Sequence, residues 1–401
     1  MRERPHVVAT RGSDGILDSR IDYGEADADG ATTVTYTDSL GHSTVYRANW
    51  RGQIVAVTDP LGDTVTQRWD RYDRLLSRTD AAGATTEWTW DEHGNLTAVR
   101  EADGAVTTAE YDEWGMPVVM TAADGAVWRC AYDRAGNHEE LIAPDGTVTR
   151  YSHDERGGIT AIIDGLGSTE TFQPDTAGLP MTRTDALGHV WTITRDAFRR
   201  PTSITDPLGA VTRLEWNTEC RLVRRTEPDG AEQTWTYDGE GNRLSETNAN
   251  GGVTQCTYTH FGLLAARTLP GGARYEFAYD TEMRLTEVRN TAGQSWTYAH
   301  DAAGQVVRET DFDGRTLVYT HDTSRRTIAR SNPLGQTVTQ HYDSRGHLVA
   351  KDVDGTVTSF THDPTGRLLS AVSPQGSLEL EWDSQGRVTA ETVDGRTHRY
   401  A

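Results

Sequence analysis

Glycine recurs every 21 residues along most of the chain, and this register constrains the fold more than any other feature. Fifteen consecutive positions in steps of 21 are glycine. They are Gly41, Gly62, Gly83, Gly104, Gly125, Gly146, Gly167, Gly188, Gly209, Gly230, Gly251, Gly272, Gly293, Gly314 and Gly335. A fixed period of about 20 to 50 residues is the signature of a repeat architecture. The register therefore predicts a tandem array and disfavours an ordinary globule of several domains.

An aspartate lies eight residues after most of these glycines and usually follows an aromatic residue. A further glycine follows three residues later in most copies, as at Gly94. Aspartate can accept hydrogen bonds from nearby backbone N–H groups, and glycine tolerates a positive φ, so both D-x-x-G stretches predict tight turns. Three copies replace the aspartate, with Asn49, Asn217 and Thr259. We take as structural landmarks Trp90, Asp91, Tyr111, Asp112, Tyr132, Asp133, Tyr237, Asp238, Tyr279, Asp280, Tyr342 and Asp343, with Gly62, Gly83, Gly104, Gly209, Gly314 and Gly335.

The residues between the turns alternate in character. Tyr275, Phe277 and Tyr279 occupy every second position, and period two is a strand signal. Each 21-residue unit is therefore predicted to contain two short antiparallel strands and two turns. The whole is predicted to be an all-β fold, a long coiled antiparallel sheet of β-hairpin repeats with over thirty strands, because large sheets twist.

The array is assigned to residues 31–401, after a divergent lead-in or degenerate repeat at residues 1–30. Beyond Gly335 the repeat shortens slightly and continues through Asp363, Asp383 and Gly395. The last copy ends part-way, so we expect an array truncated at the C-terminus.

Composition excludes several classes of partner. The chain has 60 acidic and 39 basic side chains, a net charge of -21, and only 35% hydrophobic residues. Phosphate binding needs a basic surface, so a nucleic-acid partner is disfavoured, as is an anionic membrane surface. The sequence contains no apolar run long enough to span a bilayer, and no membrane insertion is expected. Eleven Trp and fifteen Tyr argue against disorder.

The N-terminus and the cysteines bear on the compartment. Basic residues near Met1 precede no apolar segment, so no Sec signal peptide is recognised. Secretion or cell-surface display would need a specialised system. Cys130, Cys220 and Cys256 are odd in number and unrelated in spacing, so no disulfide framework or zinc site is predicted. All three are expected to be small buried apolar residues.

Several units resemble a known family. The segments YDGEGNRLS from Tyr237, YDSRGHLV from Tyr342 and HDPTGRLL from His362, with TDPLG at 205–209, are similar to the YD repeats of Rhs (rearrangement hot spot) proteins. Related repeats occur in the shells of Tc-toxin B and C subunits and in teneurins. The resemblance implies a coiled β-sheet shell around a C-terminal toxin domain, which this sequence lacks.

The family resemblance also sets expectations about function. It implies a non-enzymatic scaffold segment of a bacterial polymorphic toxin, with its own toxin domain and a secretion apparatus as partners. The alternative is a cell-surface or wall-associated protein that binds carbohydrate or mediates adhesion. Rhs shells usually end in a DPxG-containing autoproteolytic segment. Here the two DPLG stretches, at 59–62 and 206–209, occupy ordinary turn positions and are not interpreted as catalytic.

No catalytic, cofactor or metal site is predicted. Phosphate-binding loops, zinc-protease motifs and nucleophile elbows are absent from the sequence. His153, His300, His321 and His362 each precede an aspartate, but each replaces the ring of the repeat, so a structural role is favoured. The recurring aspartates are interpreted as turn formers rather than calcium ligands, because calcium-binding parallel solenoids use a nonapeptide period.

Overall fold

The structure, a computed structural model, describes residues 8–400, which form 38 β-strands and one short 3-10 helix, Ser13–Gly15. All 38 strands belong to one antiparallel sheet, so the predicted all-β fold is confirmed. No helix in residues 8–400 has the length and apolar character needed to cross a membrane.

The strands follow one another in chain order and are four to seven residues long, apart from the two-residue β1. They are β1 (Ala9–Thr10), β2 (Ser19–Tyr23), β3 (Thr32–Thr37), β4 (Ser43–Ala48), β5 (Ile54–Thr58), β6 (Thr64–Trp69), β7 (Leu75–Thr79), β8 (Thr85–Trp90), β9 (Leu96–Arg100), β10 (Val106–Tyr111), β11 (Pro117–Thr121), β12 (Val127–Tyr132), β13 (His138–Ile142), β14 (Val148–His153), β15 (Ile159–Ile163), β16 (Thr169–Pro174), β17 (Pro180–Thr184), β18 (Val190–Arg195), β19 (Pro201–Thr205), β20 (Val211–Trp216), β21 (Leu222–Thr226), β22 (Glu232–Tyr237), β23 (Arg243–Thr247), β24 (Val253–Tyr258), β25 (Leu264–Thr268), β26 (Arg274–Tyr279), β27 (Leu285–Arg289), β28 (Ser295–His300), β29 (Val306–Thr310), β30 (Thr316–His321), β31 (Thr327–Ser331), β32 (Thr337–Tyr342), β33 (Leu348–Val353), β34 (Thr356–His362), β35 (Leu368–Ser373), β36 (Gly376–Trp382), β37 (Val388–Val393) and β38 (Arg396–Arg399).

The chain divides into two compact units. The first comprises Met1–Glu110, Thr121–Ala126 and Phe277–Ala401, and the second comprises Tyr111–Met120 and Val127–Glu276. Both are built from the same hairpins. Of the predicted lead-in at 1–30, residues 1–7 lie outside the described residues, as does Ala401 of the predicted array. From the lead-in, β2 pairs with β3 of the array, and the Asp27 carboxylate accepts the backbone N–H groups of Asp29 and Ala31. The boundary at residue 30 stays a prediction.

Two kinds of four-residue turn alternate along the sheet. We call those that end at a glycine of the 21-residue register, such as Asp80 to Gly83, register turns. Those that begin at the aspartate after the ring, such as Asp91 to Gly94, we call YD turns. Because successive strands are antiparallel, all register turns lie at one end of the strands, and all YD turns lie at the opposite end. We call these two rows of strand ends the register edge and the YD edge.

A β-bulge precedes the YD turn. Between β22 and β23, Thr236 lies opposite Ser245, whereas the next residue, Tyr237, lies opposite Arg243. One extra residue, Leu244, is therefore accommodated on β23. The same shift recurs in other hairpins, for example between Ala299 and His300. Bulges increase local twist, so their repetition on one edge curves the sheet in a consistent sense.

The shortening of the repeat after Gly335 has a structural cause. In the hairpin of β33 and β34, Val353 pairs directly with Thr356, which leaves a two-residue turn at Asp354 and Gly355 with φ of 49° and 87°. Positive φ at both central residues is the type I′ geometry that Asp-Gly favours. Asp394 and Gly395 form the same turn between β37 and β38. A compact hairpin replaces the longer register turn in these copies.

Apolar side chains gather on one face of each strand, but no central core forms. In β8, Trp88 and Trp90 are half-buried, whereas Glu87 and Thr89 on the other face are exposed. In residues 8–400, no large side chain is fully buried. The most buried apolar residues are small, with Ala266 at 3% and Ala390 at 1% exposure. Stability therefore rests on neighbouring strands and turns, as in other repeat proteins.

Candidate functional site: a seam between turns and a ladder of rings

The landmark aspartates all close YD turns in the same way. The Oδ1 atom of Asp91 accepts the backbone N–H of His93 at 2.9 Å and that of Asn95 at 2.8 Å. The carboxylates of Asp112, Asp133, Asp238, Asp280 and Asp343 accept the equivalent pairs of N–H groups. Asn217 provides its side-chain oxygen and Thr259 its hydroxyl at the same place. The substituted copies therefore keep the turn without the charge.

These hydrogen bonds stabilise the charged form of the carboxylates. The pKa of Asp91 is lowered by the backbone and side chain of Asn95, and the pKa of Asp238 is lowered chiefly by the Asn242 side chain. Burial alone would raise the pKa of Asp363, but hydrogen bonds from Thr365 and Arg367 outweigh it and hold the pKa at about 2. The repeated carboxylates are thus engaged as structural acceptors.

The landmark rings connect one repeat to the previous one. Trp90 Nε1 donates to the Leu75 carbonyl at 2.8 Å, and the Tyr237 hydroxyl donates to the Leu222 carbonyl at 2.9 Å. Tyr132 and Tyr342 make the same bond, again to a carbonyl fifteen residues earlier. Tyr111 and Tyr279 hold the corresponding positions at the ends of β10 and β26. Each such bond gives a partner to a carbonyl at the start of a strand.

Sequence reasoning missed an arginine that joins successive rings and turns. Arg326 donates from Nε to Asp322 at 2.7 Å and from Nη1 to the Asp343 carbonyl at 3.0 Å, while its guanidinium lies 4.9 Å from the Tyr342 ring centroid. Arg74 and Arg367 act in the same way. The signal was present in the sequence, because an arginine recurs four residues after the aspartate in these copies.

The landmark glycines occupy backbone conformations that favour glycine. Gly62 and Gly83 have φ of 93° and 90°, and Gly104, Gly209, Gly314 and Gly335 share the left-handed region. Where a YD turn lacks its glycine, another residue adopts a positive φ, as Arg325 does at 64°. Cys220 is one of these residues and is exposed, so the expectation that all three cysteines are buried is wrong for Cys220, while Cys130 is half-buried and Cys256 is buried. The turn position, rather than apolar packing, decides its exposure.

Within the first unit, register turns of the N-terminal segment contact YD turns of the C-terminal segment. We call this row of contacts the seam. Across it, Ser39 bonds Thr281 and Glu282, Asp59 bonds Arg325, Asp80 bonds Ser324, Asp103 bonds Arg345 and Asp124 bonds Arg367. The backbone N–H of Leu17 also donates to the Thr281 carbonyl at 2.8 Å. The partners across the row are 242 to 266 residues apart in the sequence.

The seam is electrostatically complementary. Apart from the contacts of Ser39 with Thr281 and Glu282, its N-terminal side presents four aspartates and its C-terminal side presents three arginines and a serine. The Asp59 side chain is only 7% exposed, and the Arg367 to Asp124 contact measures 2.6 Å. Beside Asp59 is a cavity of about 440 Å³, into whose lining the YD turn contributes Ser324 and Arg325. The two segments therefore meet through charged turn tips rather than through strand hydrogen bonds.

Two of the histidines that replace the landmark ring, His300 and His362, lie at the ends of strands as the other landmark rings do. Burial lowers the pKa of His300, with a further contribution from Arg284. The His362 ring stacks on His347 with centroids 5.0 Å apart. In residues 8–400, no cluster of three or more His, Cys, Asp or Glu side chains is arranged to hold a metal ion. The surroundings of these two histidines are those of rings within the sheet.

The hairpins, bulges and YD turns together define an antiparallel YD-repeat shell sheet. Comparison with family models identifies the Teneurin YD-shell over residues 188–392, just over half of the 401-residue chain. The RHS Repeat model matches residues 51–85 and 90–127. The chain belongs to the Teneurin YD-shell family and carries RHS repeats, as the sequence resemblance indicated.

Solved structures share this fold. The crystal structure of TcdB2-TccC3 aligns with a TM-score of 0.73 and 14% identity over 95% of this chain. The structure of the Photorhabdus luminescens Tc holotoxin pore aligns with a TM-score of 0.71 and 16% identity over 96% of this chain. The chain spans only 27% and 26% of those two chains. A comparison with curated proteins found no match.

Proposed function

We propose that this chain is a non-enzymatic wall segment of a shell that confines another polypeptide, with a C-terminal toxin domain as the cargo. The seam carries the proposal. A shell that encloses a polypeptide needs contacts between segments of sheet that are distant in the sequence. The seam joins two such segments through side chains that are specific to their positions. The likeness to toxin-complex shells supports the same role.

The arrangement of the rings favours a wall over a carbohydrate platform. A sugar-binding ring offers its face and its polar atom to the ligand. Here Trp90 and Tyr237 donate their polar hydrogens to carbonyls of the preceding repeat, and both rings are half-buried. Their binding capacity is already used within the sheet. In this proposal the chain reaches the cell exterior through a dedicated export apparatus, together with its cargo.

Protease protection of an attached cargo tests the proposal. An unstructured, protease-sensitive reporter fused after Ala401 is expected to be cleaved about tenfold more slowly than the free reporter. Combined replacement of Arg325, Arg345 and Arg367 by alanine should abolish most of this protection, because it removes three of the contacts across the seam. Arg399→Ala, in a pair whose side chains are 70% and 58% exposed, is the matched control. Cleavage at the free-reporter rate in the unaltered fusion would reject confinement and leave the fold assignment intact.

A further inference from the structure

The cavity of about 440 Å³ beside Asp59, which we call the seam pocket, contains side chains that the seam itself does not use. Its charged lining comprises three aspartates and two arginines, namely Asp59, Asp63, Asp80, Arg78 and Arg325. Asp59 pairs with Arg325, and Asp80 accepts the Ser324 hydroxyl. Across the described part of the chain, the side chains of Asp63 and Arg78 form no ion pair or hydrogen bond. One anion and one cation of the lining are therefore available to a ligand.

Both walls of the seam pocket are formed where the two sides of the seam meet. One wall comes from β5, β6, β7 and their register turns, and the other comes from residues 323–325 of a YD turn. Val57 and Val65 lie opposite each other in neighbouring strands and form the apolar part of the first wall. Clefts of this size, with an apolar surface and a few polar groups, are typical of small-molecule sites. The pocket is thus defined by contacts that the chain makes with itself.

One position of the lining replaces a ring of the repeat. In β6, Gln67 lies opposite Arg78 of β7. The residues 21 positions before and after Gln67 are Tyr46 and Trp88, so a shorter polar side chain stands where the neighbouring copies have a ring. The Gln67 side chain makes no hydrogen bond within residues 8–400. Its amide can therefore donate a hydrogen bond to a ligand or accept one.

The two unpaired charges are also departures from the repeat. Arg78 occupies a position that is Val57 in the preceding copy and Val99 in the following one. Asp63 corresponds to Ala84 in the following copy. Both changes add a charge to the same cavity. Three departures that share one cavity indicate a binding site rather than ordinary variation of the repeat.

The charges around the pocket select the charge of the ligand. Glu101 accepts the Thr86 hydroxyl at 3.3 Å and does not line the pocket, so it leaves Arg78 unpaired. An anion would pair with Arg78 but meet the carboxylates of Asp63 and Asp80. A simple cation would pair with Asp63 but leave Arg78 without a partner. A zwitterion satisfies both groups, and arginine binds a carboxylate in a well-defined two-bond geometry.

We propose that the seam pocket binds a small zwitterion, an amino acid or a dipeptide with small apolar side chains. The carboxylate of the ligand pairs with Arg78 and accepts a hydrogen bond from the Gln67 amide, and its ammonium group pairs with Asp63. Its apolar part lies against Val57 and Val65. Arg78 is exposed, so the ligand can reach it from solvent. In this position the ligand lies between the two segments that the seam joins.

Isothermal titration calorimetry of the full chain with matched small molecules tests the site. L-valine and L-alanyl-L-alanine carry both charges, whereas isobutylamine is valine without its carboxylate and isovalerate is valine without its ammonium group. At least one zwitterion should bind saturably with a Kd on the order of 1 mM or lower, and each singly charged analogue should bind about tenfold more weakly. The proposal is overturned if neither zwitterion binds with a Kd below about 10 mM. It is also overturned if a singly charged analogue binds as tightly as the zwitterions.

Four variants assign the binding to named side chains. Arg78→Gln and Asp63→Asn each remove one charge and should weaken binding of the zwitterion about tenfold. Gln67→Trp restores the ring of the following copy and should abolish binding, while circular dichroism checks that the sheet is kept. Arg68→Gln is the matched control, because Arg68 is exposed on the opposite face of β6, and it should bind like the unaltered chain. Unchanged binding by either charge variant, or equal loss in Arg68→Gln, would overturn the assignment.

Discussion

The guanidinium of Arg325 lies 3.0 Å from the carboxylate of Asp59, which precedes it by 266 residues. Both partners belong to turns. The other oxygen of Asp59 accepts the backbone N–H groups of Leu61 and Asp63, each at 2.9 Å, so one carboxylate closes its own turn and holds a distant one. Arg325 has a φ of 64°, where a side chain costs about 1 kcal/mol relative to glycine. The ion pair gives a reason for arginine at a position that glycine usually fills.

Removing that arginine should loosen the seam in a salt-dependent way. Arg325 is 48% exposed, so we expect Arg325→Ala to lower the free energy of unfolding of the first unit by about 1 kcal/mol at low salt. The loss should shrink in 1 M NaCl (roughly a 3 Å screening length), because the ion pair is then screened. Urea denaturation at both salt concentrations measures it. The more exposed Arg399 provides the control substitution, and equal effects of the two variants would contradict the interpretation.

Acid should weaken the sheet through Asp363. Its folded pKa of about 2 lies below the ordinary value of 3.8, so its stabilising contribution is complete above that ordinary value and is lost as the pH falls toward 2. The side chain is only 9% exposed, and the shift corresponds to roughly 2 kcal/mol. The unfolding temperatures of the unaltered chain and of Asp363→Asn should therefore converge as the pH falls from about 4 to about 2. A constant gap across this window would show that Asp363 stabilises without its charge.

Deleting one ring hydroxyl should uncouple neighbouring repeats. Tyr237→Phe keeps the ring but leaves the Leu222 carbonyl without its donor, which should cost about 1 kcal/mol. Amide hydrogen exchange should accelerate near the start of β21, where Leu222 lies. Tyr298→Phe is a suitable control, since burial, rather than a hydrogen bond of its hydroxyl, dominates the raised pKa of this tyrosine. Similar exchange around the substituted ring in both variants would mean that the hydrogen bond from Tyr237 to Leu222 does not couple the repeats.

Replacement by alanine is expected to have opposite effects on stability at two of the glycines. Gly83 has a φ of 90° and no neighbouring atom within 4 Å of where an alanine Cβ would lie, so Gly83→Ala should destabilise by about 1 kcal/mol through backbone strain alone. Gly239 has no positive φ and equally open space, so Gly239→Ala should stabilise by about 0.5 kcal/mol by restricting the unfolded chain. Denaturation of both variants compares them. Destabilisation by both would mean that the turns need small side chains rather than a left-handed backbone.

Local chemistry made the hairpins predictable from the sequence. Asp91 and Gly94 delimit a turn because a carboxylate cap and a positive φ are properties of those residues and their immediate neighbours. The same reasoning identified the strands between turns. The two-residue turn at Asp354 and Gly355 was not predicted, although Asp-Gly is typical of such turns and the turn explains why the repeat shortens there.

The seam was beyond such reasoning. Nothing near Asp103 distinguishes it from other turn aspartates, and its partner Arg345 follows 242 residues later. Which turns meet depends on curvature summed over many strands, and curvature leaves no local mark in the sequence. The bond from Tyr237 to Leu222 was also missed, because a reach across one hairpin requires the bulge geometry to be known.

The seam also bears on how such genes can change. Seam partners are spaced at intervals close to 21 residues on both sides, from Asp80 to Asp103 and Asp124, and from Ser324 to Arg345 and Arg367. Unequal recombination that removes one whole unit between these rows would bring each aspartate to the next tip of similar chemistry. A deletion of any other length would place tips opposite strands. Inheritance should therefore preserve the array in whole units, and its length can vary while its individual turns stay constant.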